Sequence, residues 1–209
     1  MSDPGPGVDR DRISGAIVAG GESTRFGGQL KGLCSVGGIR MIDRVRAALE
    51  PVAHDIALVA NAPDADSWLP GIRAVRDQGT ERGSLVGLRT AVACAEGPLI
   101  VVAWDMPFVR SELLSLLISR LQPGTDAVIP DGPQGPEPMC ALYTPGCLTA
   151  IDSALERRDL RLSSLVSQLP GAARVGISEV SAVGDPSRLF FNVNTPADLE
   201  LAEQMARAV

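Results

Sequence analysis

The sequence predicts an α/β fold: a mostly parallel, mixed sheet with helices on both faces, three layers in all. Short apolar runs alternate with amphipathic helical stretches through at least the first five elements, the order that builds parallel sheets. One run, Leu99-Ile100-Val101-Val102-Ala103, is apolar at every position, as a strand covered on both faces must be. A further apolar run, residues 139–143, follows a Pro/Gly-rich loop in hairpin fashion and supplies one antiparallel strand.

The elements follow in order. Residues 1–12 are polar and acidic with Pro and Gly, and are expected to form a disordered lead-in to one domain over 13–209. Ser14-Gly15-Ala16-Ile17-Val18-Ala19 reads as the first buried strand. A glycine loop follows, and Gly37-Gly38 makes a turn. A helix over 41–49 places Met41, Ile42, Val45, Ala48 and Leu49 on one face, and Pro51 ends it. Strands are expected at 56–60 and 72–76, with a loop or short helix between them. A polar loop at 79–83 leads to a helix over 85–95, stopped by Gly97-Pro98. After the strand at 99–103, Ser111 is expected to cap a helix reaching Leu121. Next come a strand at 127–130, a loop at 131–138 and the strand at 139–143. Helices are expected at 147–157 and 164–169, and strands at 174–177 and 190–193. Thr195-Pro196-Ala197-Asp198 opens the last helix with Thr at the N-cap, Pro at N1 and a carboxylate at N3.

Composition narrows the function. With a net charge of −6 over 209 residues, a general nucleic-acid binder is not expected. No apolar run approaches the ~20 residues that span a bilayer, and no apolar stretch marks the N-terminus as a signal peptide, so a cytoplasmic enzyme with no membrane partner is expected. Cys34, Cys94, Cys140 and Cys147 contain no C-x-x-C pair and, with His54 the single histidine, form no usual zinc set. Buried free thiols and an ordinary surface histidine are the expected states.

The chemistry concentrates at strand ends. Gly20 and Gly21 directly follow the first strand, where main-chain N–H groups can face phosphate oxygens. Ser23 and Thr24 add hydroxyls, and Arg25 and Lys31 add positive charge, a set suited to a polyphosphate. The spacing fits neither G-x-G-x-x-G nor a P-loop, since Lys31 is followed by Gly32. In such a sheet, ligands sit outside the carboxyl ends of the strands. Asn61, Asp77 and Asp105 each follow a strand, and a shared edge brings them to the glycine loop. Asp105, in Trp104-Asp105-Met106-Pro107, is the candidate ligand for Mg²⁺, which takes one or two carboxylates plus phosphate oxygens. Asp77 could face ribose, base or metal, or simply begin a loop. Asn61 before Ala62-Pro63 is also good turn chemistry.

Val18-Ala19-Gly20-Gly21 with Ser23, Arg25, Gly27 and Lys31 resembles the signature of nucleotidyltransferases with a glycosyltransferase-A-like, Rossmann-like fold. Within them the chain most resembles the molybdenum cofactor guanylyltransferases. Gly83-Ser84-Leu85-Val86-Gly87-Leu88 is similar to that family's G-P-L-x-G-L, and Trp104-Asp105-Met106-Pro107-Phe108 to its C-D-x-P-[FY]. Asn192-Val193-Asn194-Thr195-Pro196 resembles its N-[VI]-N-T-P segment. The resemblance implies Mg²⁺-dependent transfer of GMP from GTP to the terminal phosphate of a molybdopterin-type cofactor. It implies that Val18, Ala19, Gly20 and Gly21 wrap GTP, that Lys31 contacts its phosphates, and that Asn61 and Asp77 bind the nucleotide. Arg25, Lys31 and Asp105 would be catalytic, Asp105 holding the metal. Asn192, Asn194 and Arg161 would line the acceptor side, and cofactor-delivery proteins or acceptor molybdoenzymes would be protein partners. Two positions depart from the family pattern: Leu30 stands where Asp usually precedes the lysine, and Ser84 replaces a proline. Alternatives are a cytidylyltransferase for the same cofactor, a sugar-1-phosphate nucleotidyltransferase, and a nucleotide-binding regulator without catalysis.

Overall fold

A computed structural model of the chain describes residues 12–19, 30–77 and 82–208. Gly20, Gly21, Ser23, Thr24, Arg25 and Gly27 lie outside the described residues, as do nearly all of the lead-in and much of the loop at 79–83.

The chain runs β1 (Ser14–Ala19), β2 (Ser35–Val36), β3 (Ile39–Arg40), α1 (Met41–Leu49), β4 (Asp55–Ala60), β5 (Arg73–Val75), α2 (Ser84–Ala93), β6 (Leu99–Ala103), α3 (Ser111–Ser119), β7 (Ala127–Gly132), β8 (Gly135–Pro136), β9 (Cys140–Tyr143), α4 (Leu148–Glu156), α5 (Leu162–Gln168), β10 (Ala172–Val175), α6 (Ile177–Ser181), α7 (Pro186–Leu189) and α8 (Pro196–Arg207). The main sheet has the order β10-β7-β9-β6-β1-β4-β5, with β8 paired to β7. β5, β4, β1 and β6 run parallel, and β9 runs against both β6 and β7. The single reversed strand in the path is the one expected at 139–143.

Alternation along the strands divides the core between two faces, because successive side chains of a strand point to opposite sides. Ile17, Ile100, Val102 and Leu142 join α1 and α3 residues such as Val45, Leu49, Leu113 and Leu117 in one cluster. Ala16, Val18, Leu99, Val101 and Tyr143 join Leu85, Leu88, Ile151 and Leu165 from α2, α4 and α5 in the other. Three layers result directly from that division. Each fully buried Leu, Ile or Val contributes about 1.5–3 kcal/mol. The five α1 residues expected on one face are the five that are buried.

A third, smaller cluster positions the site. Val36, Met41, Phe108, Val193 and Ala202 tie the β2–β3 hairpin, the segment after β6 and α8 together. Gly37 and Gly38 form the two-residue turn of that hairpin, with φ of 59° and 77°. Both central residues of such a turn need positive φ, which glycine adopts without steric cost. Each strand has only two residues, too few for periodicity to announce.

Several expectations are corrected. Residues 190–193 form no strand: Phe190 and Phe191 donate back to Pro186 and Arg188, closing the turn after α7, and Val193 donates to Asp105 O at 3.0 Å. Arg110, not Ser111, occupies the N-cap of α3, without a side-chain cap, and the helix stops at Ser119. β10 ends at Val175, and Ile177 begins α6 instead of ending a strand. Cys140 and Cys147 are buried free thiols as expected, but Cys94 is exposed and Cys34 half-buried. Thr195 and Asp198 do form the expected capping box of α8. Among the described residues no helix is long and apolar enough to cross a membrane.

Candidate active site

The parallel register aligns the carboxyl ends of β1, β4 and β6, with Ala19 opposite Ala60 and Val18 opposite Ala103. The segments that leave these strands therefore open on one edge of the sheet. There, a cleft of about 310 Å³ is lined by Val18, Lys31, Asp105, Glu137, Asn192 and Asn194, among others. Lys31 donates from Nζ to Asp105 Oδ2 at 2.5 Å and to Asn194 Oδ1 at 3.0 Å. Three distant stretches of chain thus meet on one ammonium group. The Lys31 and Asp105 side chains are only 15% and 12% exposed, so removing either would leave a charge largely shut off from water. Leu30 takes away the expected neighbour of Lys31, and Asp105 serves as its ionic partner instead.

Backbone and ring contacts hold this pair. Lys31–Leu33 is a turn of 3₁₀ helix. At its centre Gly32 lies against the Trp104 ring so closely that an added Cβ would stand 2.2 Å from Cε3. Trp104 stacks on Trp68 with centroids 5.4 Å apart and planes 20° apart. Its main-chain N–H donates to Val18 O at 3.2 Å, fixing Asp105 beyond the end of β6. Asp105 Oδ1 is buried and has no hydrogen-bond partner among the described residues. Among the described residues no group of three or more His, Cys, Asp or Glu could hold a metal.

Asn61 and Asp77 form a second unit at the ends of β4 and β5. Asn61 Nδ2 donates to Asp77 Oδ2 at 2.7 Å, and the Asp77 N–H donates to Asn61 Oδ1 at 2.9 Å. Thr90, buried on α2, donates to Asp77 Oδ1 at 2.7 Å. The amide and the carboxylate expected to face a nucleotide are thus locked to each other. Thr90 had no sequence signal, since a threonine inside an apolar helix reads as core.

Asn192 and Asn194 stand between the first cleft and a second of about 430 Å³, which also takes in Gln134, Glu137, Phe191 and Asp198. Asp198 Oδ2 accepts from the N–H groups of Asn194 at 2.9 Å and Thr195 at 2.8 Å, so the cap of α8 also fixes Asn194. Burial pushes the Asp198 carboxyl up, but hydrogen bonds from Asn194 and Thr195 outweigh it and hold the group below its ordinary value. Arg161 is not brought to either cleft; it is exposed and donates from Nε to Asp159 Oδ1 at 2.9 Å.

Glu137, like Thr90, is a site residue that sequence reasoning missed, since it sat in a Pro/Gly-rich loop with no pattern around it. It lines both clefts, and burial raises its carboxyl to about 7.

Residues 15–173 match the family described as MobA-like NTP transferase domain. The chain is 32% identical over 200 residues to a molybdenum cofactor guanylyltransferase of Desulfosudis oleivorans, covering 95% of this chain and 98% of that one. It is 34% identical over 196 residues to a probable molybdenum cofactor guanylyltransferase of Pelotomaculum thermopropionicum, covering 93% and 94%. Among solved structures it resembles molybdopterin-guanine dinucleotide biosynthesis protein A from Archaeoglobus fulgidus, with a TM-score of 0.80, 25% identity, and coverage of 94% of this chain and all of that one.

Proposed function

This chain belongs to the MobA-like NTP transferase family, and from that membership we propose that it transfers GMP from GTP to the terminal phosphate of a molybdenum–molybdopterin cofactor. Pyrophosphate is released and the guanine dinucleotide cofactor is formed. The observation that carries the reading is the meeting of Lys31, Asp105 and Asn194 in one cleft at the carboxyl edge of the sheet. The names of relatives matched over nearly their full length support the guanine nucleotide and the cofactor.

In this reaction the acceptor phosphate attacks the α-phosphorus of GTP in line. The new P–O bond forms as the bond to the bridging oxygen breaks, and the electron pair leaves with pyrophosphate. A phosphate monoester is already ionised near neutral pH, so no side chain needs to remove a proton. The task of the protein is to offset negative charge. Lys31 exchanges Asp105 for phosphate oxygens, and Arg25 joins it on the triphosphate and the leaving group. Val18, Ala19, Gly20 and Gly21 offer main chain to the nucleotide, and the Asn61–Asp77 unit holds its nucleoside. Asn192 and Asn194 orient the acceptor. Arg161 is assigned to it as well, although an anionic acceptor must first displace Asp159.

Asp105 fits a divalent cation: one oxygen faces Lys31, and the other is buried without a partner among the described residues. A single carboxylate with phosphate oxygens is an ordinary Mg²⁺ ligand set. Asp105 would hold the ion, which when bound would supply positive charge against the triphosphate and Lewis-acid activation of the reacting phosphate. Cytoplasmic placement, and contact with cofactor-delivery proteins or acceptor molybdoenzymes, belong to the same proposal.

The test is pyrophosphate release from GTP, and separately from CTP, with Mg²⁺ and molybdopterin. Release with GTP alone is expected. Release with CTP alone would replace the base assignment, and silence with both from protein that binds nucleotide would overturn the reaction. Lys31→Ala is expected to slow turnover on the order of 10²–10³-fold; wild-type turnover would remove Lys31 from the mechanism.

A further inference from the structure

We infer that Glu137 determines acceptor specificity: its carboxylate accepts hydrogen bonds from the N–H donor edge of an amino-oxo-pyrimidine ring, the ring end of a pterin. The inference rests on the proposed reaction, in which the acceptor is a molybdopterin.

The main chain of Glu137 is held in place on both sides. Its N–H donates to Pro130 O at 2.9 Å, and its carbonyl accepts from Cys140 N at 3.0 Å. The side chain lies over Gly132, where an added Cβ would stand 2.5 Å from Glu137 Oε1 and 2.7 Å from Cγ. Only glycine at 132 leaves room for the carboxyl there. Among the described residues nothing hydrogen-bonds to that carboxyl, and burial is the cause of its raised pKa. A half-buried carboxyl with no hydrogen bond among the described residues is costly, and such groups concentrate at functional sites.

Its position selects the ligand. The sheet order puts the Asn61–Asp77 unit after β4 and β5, and Glu137 on the loop joining β8 to β9. With strands about 4.8 Å apart, β4 and β7 are about 19 Å from each other. Asp105, after β6, lies between them. Nucleoside and acceptor therefore approach the reacting phosphates from opposite sides, and Glu137 is on the acceptor side. A carboxylate repels phosphate, so it suits the uncharged end of that substrate. The cleft of about 430 Å³ is large enough for a fused ring system and offers the half-buried Phe191 beside Glu137 and Asn192. A ring N–H and an exocyclic amine side by side match the two oxygens of one carboxylate. Their donation would favour the ionised form, reversing the effect of burial.

The experiment is steady-state pyrophosphate release by the full chain and by Glu137→Gln, with GTP, Mg²⁺ and molybdopterin. Two competitors are added: 2-amino-4-oxopteridine and 2,4-dioxopteridine, which lacks the exocyclic amine. For Glu137→Gln, KM for molybdopterin is expected to rise about ten- to a hundredfold, the worth of hydrogen bonds to a charged group. KM for GTP and kcat should stay within about twofold, a split that a merely structural role would not produce. The wild type should be inhibited more strongly by the amino compound, and the variant should lose that preference. An unchanged acceptor KM, a rise in the GTP KM instead, or equal inhibition of the wild type by both pteridines would overturn the assignment of Glu137 while leaving the reaction standing. No turnover by the wild type with GTP and molybdopterin would overturn the reaction, and this inference with it.

Discussion

Gly32→Ala tests whether the Lys31 turn is held by the Trp104 ring. The added methyl would lie 2.2 Å from Trp104 Cε3, 2.4 Å from Cδ2 and 2.9 Å from Cγ. Carbon atoms rest at about 3.5–4.0 Å, so one partner must move by about 1 Å or more. The ring cannot yield easily: it is 3% exposed, stacked on Trp68, and tied through its main-chain N–H to β1. The turn therefore lifts and takes Lys31 with it. Overpacking of this kind costs about 1–3 kcal/mol. Loss of a glycine from the unfolded chain returns about 0.4–1 kcal/mol, so a mid-range clash of about 2 kcal/mol leaves a net cost of about 1–2 kcal/mol. For a chain of this length that corresponds to a fall in Tm of about 2–8 °C. Displacing Lys31 by about 1 Å is expected to slow pyrophosphate release on the order of 10²-fold. Thermal unfolding followed by far-UV circular dichroism and the pyrophosphate assay read the two effects. Trp104→Leu removes the clashing ring, so Gly32→Ala made in that background should cost less than it does alone. A single variant that melts within about 1 °C of wild type and keeps its turnover would refute the reasoning.

Two further predictions concern the groups around the cleft. Thr90→Val leaves Asp77 Oδ1 without its donor at 2.7 Å; stability should fall by about 1–3 kcal/mol and KM for GTP should rise with kcat little changed. An unaltered GTP KM would disconnect the Asn61–Asp77 unit from the nucleotide. Glu137→Gln should also change the pH dependence of stability. Burial raises the folded carboxyl from 4.5 to about 7, so the wild type loses stability as pH rises through that window and keeps it below. At 1.36 kcal/mol per pKa unit the full loss would be about 3 kcal/mol, reduced to about 1–2 by the residual exposure of the group. Denaturant titrations at pH 4.5 and pH 8 should show the variant gaining on the wild type at the higher pH; parallel curves would contradict the burial of the Glu137 carboxyl.

Elements that announced themselves locally were readable along the chain. The 41–49 helix matches the observed span, because five apolar residues at helical spacing and a following proline are all near neighbours in sequence. The apolar strand at 99–103 was equally clear, since every position is covered. Residues 190–193 misled for the same reason: an apolar run shows that a segment is covered but not what it bonds to. Only the folded chain shows those residues closing a turn and donating to Asp105 at the sheet edge.

The site divides in the same way. Lys31, Asn61, Asp77, Asp105, Asn192 and Asn194 stood out as polar residues beside strand ends or in a family-like segment. Their pairing did not, because Lys31 and Asp105 are 74 positions apart, and Lys31 and Asn194 are 163 apart. Thr90 and Glu137 carried no local pattern; one gains meaning from the carboxylate it reaches, the other from the space left by Gly132. By itself, the sequence determined the layers, the direction of most strands and the edge where chemistry collects, since these come from short-range periodicity and the handed rules of sheet building. Which charges meet, which oxygen stays without a partner among the described residues and which carboxyl lines both clefts were decided only by tertiary structure. Those facts depend on distances between residues that the chain itself keeps far apart.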